Sequence, residues 1–420
     1  MTAAPHIAPN PIFDNLEYMG NPFQLREADF KARLPQAAGA IDGADRDYEF
    51  ALKFLYSYNG SSATFNAYRR EIERLLQWAW FIRQLSVLRL RREDIEQFIR
   101  FCQDPPLAWI GTKNVPRFLD SNGQRLPNRA WTPFVASVTK AEFRGGRVAD
   151  KKQFLPSQAA IKATFTALSS FFDFLIQETQ VDSNPVALMR QKSKFIQRNQ
   201  NRDVVRRISN LQWEYVIETA EHMATAEPER HERTLFIMNC LFAMYLRISE
   251  LVADERSTPV MGHFRRDMDG NWWFHVTGKG NKSRTVTVSD AMLDALRRYR
   301  SSLGLSALPT ADEQTPLVQK TLGKGPVTST RHIRTIVQFC FDTAYERMRA
   351  DGFEDDAAEL RAATVHWLRH TGISEDVKIR PREHVRDDAG HSSMQTTDRY
   401  IESDARERHR SGRRKPIRDL

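Results

Sequence analysis

Cysteine is scarce in this chain of 420 residues: Cys102, Cys240 and Cys340 are odd in number, far apart and mostly set in apolar helical patterns. Three such residues build no disulfide framework and no Cys-x-x-Cys metal or redox motif, so they read as reduced core residues. The sequence also shows no apolar run of membrane-spanning length, no charged-then-apolar leader after Met1 and no internal repeat. These absences lead to the expectation of a soluble protein with no membrane partner, in the compartment that holds the genome, the bacterial cytoplasm with its nucleoid. Acidic residues fall short of basic ones, 53 against 62, for a net charge of +9. That excess favours a polyanionic partner, because Lys and Arg release counterions from a nucleic-acid backbone, but many basic proteins bind no DNA. The length suits two domains, each with its own core.

Residues 1–45 are rich in Ala, Pro and Asn with little periodicity and read as a flexible N-terminal arm or a partly ordered extension. Helical spacing of apolar residues from Tyr48 to Phe81 predicts a helix pair broken at Asn59-Gly60, and another helix is expected from Arg92 to Cys102. Residues 104–153 carry prolines and the pairs Asn122-Gly123 and Gly145-Gly146, which predict turns and a short hairpin. Helix resumes from Pro156 to Thr179 behind an apolar stripe of Ile161, Phe165, Leu168, Phe171, Phe172 and Leu175, and Asn184-Pro185 closes a helical domain over 46–187. The segment 188–207 holds seven basic residues against Asp203 alone, which suits a linker along a phosphate backbone or a merely solvated one. The second domain, 208–405, is expected to have helices at 209–224, 230–246, 289–303, 328–350, 364–374 and 393–400. The basic tail 406–420 either meets DNA, docks on a neighbouring subunit or frays.

Chemistry gathers near the C-terminal end, in His366-Trp367-Leu368-Arg369-His370, then Gly390-His391-Ser392-Ser393, then Tyr400. A tyrosine hydroxyl, with an unperturbed pKa of about 10, is a weak nucleophile near neutrality and needs help to attack phosphorus. Arginine forks grip phosphate oxygens and offset growing charge, while histidine moves a proton or donates a hydrogen bond. A second arginine stands upstream, where the apolar stretch 235–245 reads as a buried helix running into Leu246-Arg247-Ile248-Ser249-Glu250-Leu251. Lys279 projects from the tip of an expected hairpin, Trp272–Val276 and Arg284–Val288 joined through Gly278-Lys279-Gly280-Asn281-Lys282.

Each residue has an ordinary alternative. Arg247 could form a structural salt bridge with Glu250, Lys279 could be a solvated turn lysine beside Lys282, and Tyr400, with Met394 and Thr397 on its helix, could be a core residue. His366 and His370 have the spacing of a zinc pair, but Trp367 stands where a His-Glu-x-x-His protease needs glutamate and no third ligand stands out. No metal or cofactor is therefore expected, and His370 is assigned to packing or a structural hydrogen bond.

Taken together, Leu-Arg247-Ile-Ser-Glu-Leu, Gly-Lys279-Gly-x-Lys, His366-x-x-Arg369-His, Gly-His391-Ser-Ser and Thr-Thr-x-x-Tyr400 closely resemble the motifs of the tyrosine recombinases, the phage integrase family. They occur in that family's order, with His391 nine residues before Tyr400. The resemblance implies a mainly α fold with a small β-hairpin or sheet (α+β), a two-domain C-shaped DNA clamp with a helical core-binding domain and a catalytic domain. It implies that Arg247 and Arg369 grip the scissile phosphate, that Lys279 protonates the departing 5′-oxygen, that His366 shares in proton transfer with the tyrosine, that His391 hydrogen-bonds the phosphate and that Tyr400 is the nucleophile. The product that the resemblance implies is a 3′-phosphotyrosyl link, made without ATP or metal.

The implied partners are double-stranded DNA, three further copies in a homo-tetrameric synaptic complex, and companion recombinases or accessory proteins. Integration, excision, transposition of a mobile element and dimer resolution all fit the same chemistry. Two other readings stand beside it: a type IB topoisomerase, and a catalytically silent DNA-binding accessory or regulatory protein on the same fold. The chain departs from the family's pattern at Tyr245, where a small residue or glycine is common, and in the charged stretch from Ser374 to Asp388. The insertion 104–153 is also longer than the resemblance leads one to expect.

Overall fold

The computed structural model describes residues 9–35, 38–187, 189, 206–255, 257–278, 283–401 and 413. The chain forms two compact units, residues 1–200 and 201–420.

The first unit is built on four principal helices, α1 (Ala44–Tyr56), α2 (Ser62–Trp78), α3 (Arg92–Gln103) and α4 (Gln158–Gln177). The break between α1 and α2 falls at the expected Asn59-Gly60, and Ser157 starts α4 by accepting a hydrogen bond from the Ala160 N–H. Contrary to the sequence-based expectation, α4 is long and apolar enough to cross a membrane. Its stripe of Ile161, Phe165, Leu168, Phe171, Phe172 and Leu175 is instead buried in this unit's core, which accounts for the apolar composition. Inside the insertion, strands β1 (Phe118–Ser121) and β2 (Gln124–Pro127) pair antiparallel about Asn122-Gly123. Both turn residues have positive φ, the geometry that a two-residue hairpin turn requires.

Of the two readings of the N-terminal segment, the ordered extension describes residues 9–35 and the flexible arm does not. Phe13, Met19 and Phe30 are buried in the first unit's core, and Phe13 stacks on Tyr48 at 5.4 Å. One carboxylate explains the docking: Glu73, 1 % exposed, accepts the backbone N–H groups of Ile12 (2.5 Å) and Phe13 (3.2 Å) and pairs with Arg117 of the insertion. Asp14 receives a two-pronged bond from Arg125 at 2.8 Å on each prong. The N-terminal segment and the insertion thus hold each other against α2. Removing one partner of a buried pair costs about 3–5 kcal/mol. Glu73→Ala is therefore expected to lower the melting temperature and to open residues 9–20 to limited proteolysis.

The second unit carries α5 (Asn210–Ala226), α6 (Pro228–Ala243), a three-stranded antiparallel sheet, α7 (Asp290–Ser302), α8 (Thr330–Ala350), α9 (Glu354–Ala362), α10 (Val365–Asp376), α11 (Arg382–Ala389) and α12 (Met394–Ile401). The sheet runs β3 (Phe264–Arg266), β4 (Trp272–Thr277), β5 (Ser283–Thr287), with Phe264, Phe274 and Val286 in register on the buried face. All six helices expected here are present, whereas α9, α11 and β3 are additions. Helix α6 is buried along most of its length and is the spine of the unit. It packs so tightly on α10 that a Cβ added at Gly372 would collide with the Phe242 carbonyl oxygen. Cys102, Cys240 and Cys340 are buried free thiols, as expected. Most of the basic linker, 190–205, and the tail apart from Arg413 lie outside the described residues.

Candidate active site

The end of α6 sets the first arginine. The helix stops at Ala243, three residues short of the expectation, and the chain turns at Tyr245, a buried non-glycine residue with φ +51°. Left-handed backbone is costly for a bulky residue unless its surroundings enforce it. Here the Tyr245 hydroxyl donates to Asp376 and accepts from Arg380 (3.1 Å), while its carbonyl accepts from Arg369. Arg380 continues to Asp376 (2.9 Å) and Asp388 (2.6 Å), and Asp388 accepts from the Thr287 N–H (3.1 Å) on the sheet. The charged stretch 374–388 is thus internally paired rather than apolar.

Past that turn, Arg247 donates to Glu250 (3.0 Å) and to the Gly390 carbonyl (3.2 Å). The salt bridge considered from the sequence exists, and Arg247 still keeps 31 % of its side chain exposed. Glu250 is shared: Arg284 of β5 grips both its oxygens at 2.7 and 2.8 Å. Burial pushes the Glu250 carboxyl up, but hydrogen bonds and charge from Arg284, with help from Arg247, hold it below the ordinary carboxylate range. Its contribution to stability is then complete above the unfolded-state value of about 4.3 and is lost as pH falls through the lower folded value. Glu250→Ala is expected to cost about 3–5 kcal/mol at pH 7. That gap to the wild type should narrow below pH 4 in thermal melts run from pH 7 to 3.

Arg369 lies on α10 and is 3 % exposed. One Nη donates to the Tyr245 carbonyl and the other to the Ala389 carbonyl at 2.5 Å, which ties the exits of α6 and α11 together and leaves the rest of its five donors for an acceptor. Burial, followed by the nearby Arg247 charge, pulls its pKa down to about 10, so it stays cationic at neutral pH. Gly390, φ +62°, ends α11 in left-handed geometry and brings the chain round to His391, whose Nδ1 lies 2.9 Å from Thr397 Oγ1.

Tyr400 points into this ring of residues from α12 and is 6 % exposed. The His391 ring stacks on it at 5.8 Å and 13°. Its hydroxyl lies 2.6 Å from Nδ1 of His370, and the exposed ring of His366 stands edge-on to His370 at 4.4 Å. Burial and surrounding positive charge push all three histidines down, His370 and His391 to about 4. At neutral pH they are therefore neutral imidazoles.

Five of the six site residues expected from the sequence, Arg247, His366, Arg369, His391 and Tyr400, meet in this one region of the second unit. Lys279 lies outside the described residues, between the ends of β4 and β5. Sequence reasoning missed the contact of His370 with the hydroxyl and the bridging role of Arg284. The i,i+4 spacing of His366 and His370 was a signal that either could face a partner on the next helix. The arrangement offers cations for an anionic group, neutral imidazoles for proton movement and a buried phenol between them.

No family model matches the chain. A stretch of 146 residues, 33 % of the chain, is 25 % identical to the tyrosine recombinase XerC of Chlorobaculum parvum (strain DSM 263 / NCIMB 8327), and the match spans 41 % of that relative's length. Among solved structures, the XerH site-specific recombinase bound to palindromic difH substrate in a post-cleavage complex aligns with TM-score 0.54 and 13 % identity over 96 % of both chains, a likeness of fold. A lambda integrase dimer bound to a COC′ core site aligns at 0.48 and 12 % identity, over 94 % of this chain and 88 % of that one, too loosely to add weight. In part of its sequence the chain is thus similar to a tyrosine recombinase, and in its mainly helical two-unit fold it is similar to a site-specific recombinase.

Proposed function

We propose that this chain is a site-specific recombinase that cuts and rejoins double-stranded DNA through Tyr400. The phenolic oxygen attacks the scissile phosphorus, the phosphorus–5′-oxygen bond breaks, and a 3′-phosphotyrosyl link and a 5′-hydroxyl result. That hydroxyl, or one from a second duplex, later attacks the link and returns the tyrosine. Arg247 and Arg369 hold the non-bridging oxygens and offset charge in the transition state, His391 and His366 donate hydrogen bonds to them, and Lys279 protonates the 5′-oxygen. One phosphodiester replaces another, so no external energy source enters the balance, and positioning with cationic stabilisation supplies most of the acceleration. In this reading the first unit binds the duplex, and strand exchange takes four protomers on two duplexes.

The observation that carries the proposal is the buried Tyr400 hydroxyl hydrogen-bonded to a neutral histidine, in one region with two arginines, one just past the end of α6 and one within α10. The likeness to XerH, a recombinase held in a post-cleavage complex with its substrate, is in keeping with it.

The test uses the full chain with nicked duplexes, cut from DNA flanking its own gene and from a randomised pool, in EDTA. An SDS-resistant adduct, joined to a DNA 3′ end and mapped by mass spectrometry to the peptide containing Tyr400, is the expected result. DNA binding without any adduct, in both substrate sets and at all protein concentrations, would overturn the enzymatic reading in favour of an accessory protein.

A further inference from the structure

Two histidines, His370 and His391, lie against the Tyr400 ring and a third, His366, lies behind His370, and their geometry separates their tasks. His391 lies face to face with the ring at 5.8 Å and 13°, with its Nδ1 turned to Thr397 at 2.9 Å. A stacked imidazole touches the phenol's π-face rather than its hydroxyl. His366 meets His370, not Tyr400, and has no hydrogen-bond partner among the described residues. Of these three histidines, His370 is the one that reaches the hydroxyl oxygen, at 2.6 Å through Nδ1, within the span from which a general base takes a proton. From the end of the Arg369 motif, His370 also lies one residue from a phosphate-gripping arginine, so a proton taken there stays beside the reacting group.

Building on the recombinase reading above, we infer that His370, rather than His366, accepts the Tyr400 proton during cleavage and returns it during rejoining. As the Tyr400 oxygen bonds to phosphorus and the 5′-oxygen departs, the phenolic proton moves to Nδ1 of His370. The 5′-oxygen is protonated separately, by Lys279 in the proposed scheme, so each proton has one donor and one acceptor. When the 5′-hydroxyl attacks the phosphotyrosyl link, both transfers reverse and the phenol regains its proton from His370.

The environment of His370 is consistent with that task. Its own helix presents His366 and Arg369, the loop after α11 presents His391, and α12 presents Tyr400. Burial comes first in keeping the imidazole neutral in the free protein, and repulsion from nearby positive charge, which at neutral pH is that of Arg369, adds to it; in the tautomer protonated at Nε2, the Nδ1 lone pair faces the phenol. A bound phosphodiester brings a negative charge against Arg369, which weakens the cationic part of that effect and raises the basicity of His370 when the proton must move. His366, exposed and three residues before Arg369, is then left to face the phosphate.

The test separates proton acceptance from positioning. His370→Asn keeps an acceptor oxygen near the place of Nδ1 but takes up no proton, and His370→Ala removes both. Adduct formation on nicked duplex is expected to slow by about 10²–10⁴-fold in both variants, with duplex binding unchanged. Replacing Tyr400 with a fluorinated tyrosine, whose phenol is more acidic, should restore much of the rate in each His370 variant as pH rises. A substrate carrying sulfur at the 5′-bridging position needs no leaving-group acid and should restore neither. Full activity of His370→Asn would overturn the inference, as would rescue of His366→Ala rather than His370→Ala by fluorotyrosine. Absence of any adduct with the unaltered chain would instead overturn the recombinase reading itself.

Discussion

A chain carrying Tyr400→Phe is expected to bind duplex DNA as the unaltered protein does and to form no SDS-resistant adduct at all. The substitution removes one oxygen, and phenylalanine has no other atom that can bond to phosphorus. The ring can remain in place because its contacts are largely apolar and stacked: it is 6 % exposed, belongs to a small cluster with Tyr245, Ile373, Val385 and Ala389, and lies against His391. Losing the bond to His370 costs about 0.5–1.5 kcal/mol, a typical net hydrogen bond, so the fold survives. Gel shift, thermal melt and adduct assay on one preparation are the measurement. A residual adduct would move the nucleophile to another residue, and lost DNA binding would mean that the phenol serves the fold.

Arg369 should produce the second large effect, and there fold and chemistry have to be separated. Arg369→Ala removes one of the two arginine clamps proposed to offset transition-state charge, and loss of one such donor group typically slows a reaction by about 10²–10³-fold. It also leaves the Tyr245 and Ala389 carbonyls without their donor, and each unpaired buried group costs about 1–3 kcal/mol. Adduct formation should therefore be measured well below the melting temperature of the variant, where the folded fraction is complete. Arg369→Lys is expected to recover little of the rate. A lysine keeps the charge, but its single ammonium cannot satisfy two carbonyls on different helix ends and a phosphate in fork geometry. If Arg369→Lys proved as fast as the unaltered chain, bidentate gripping by this residue would be ruled out.

Periodicity disclosed the helices that bury one apolar face, including all six expected in the second unit, because a stripe on a helix is written directly in the residue order. It disclosed neither α9 nor α11, where charged residues predominate and, around α11, charges are satisfied by one another. The chain of contacts from Tyr245 through Asp376, Arg380 and Asp388 to Thr287 joins residues up to 143 positions apart when Arg247 and Gly390 are included, which no local pattern records. Which reading of the N-terminal segment holds was not legible for a similar reason. Its docking depends on one buried carboxylate, Glu73, on a helix whose pattern marks that face only as apolar.

In the site, residue types and order were legible because attack on a phosphodiester demands cations, an imidazole and a hydroxyl. The partner of the tyrosine was not. Two histidines four apart lie on one side of a helix, and the approach of α12 decides which of them meets Tyr400. The function of Lys279 rests on the motif alone, since the hairpin tip is outside the described residues.

The left-handed turn at Tyr245 restricts the ways in which this position can be exchanged. Glycine would relax the backbone yet vacate the volume of a fully buried ring, whereas valine or isoleucine would fill part of that volume but could not adopt φ +51° without strain. Neither exchange retains the hydroxyl that lies between Asp376 and Arg380. Related chains with glycine here should accordingly lack the need for that acid and arginine, and the three positions should change as a set.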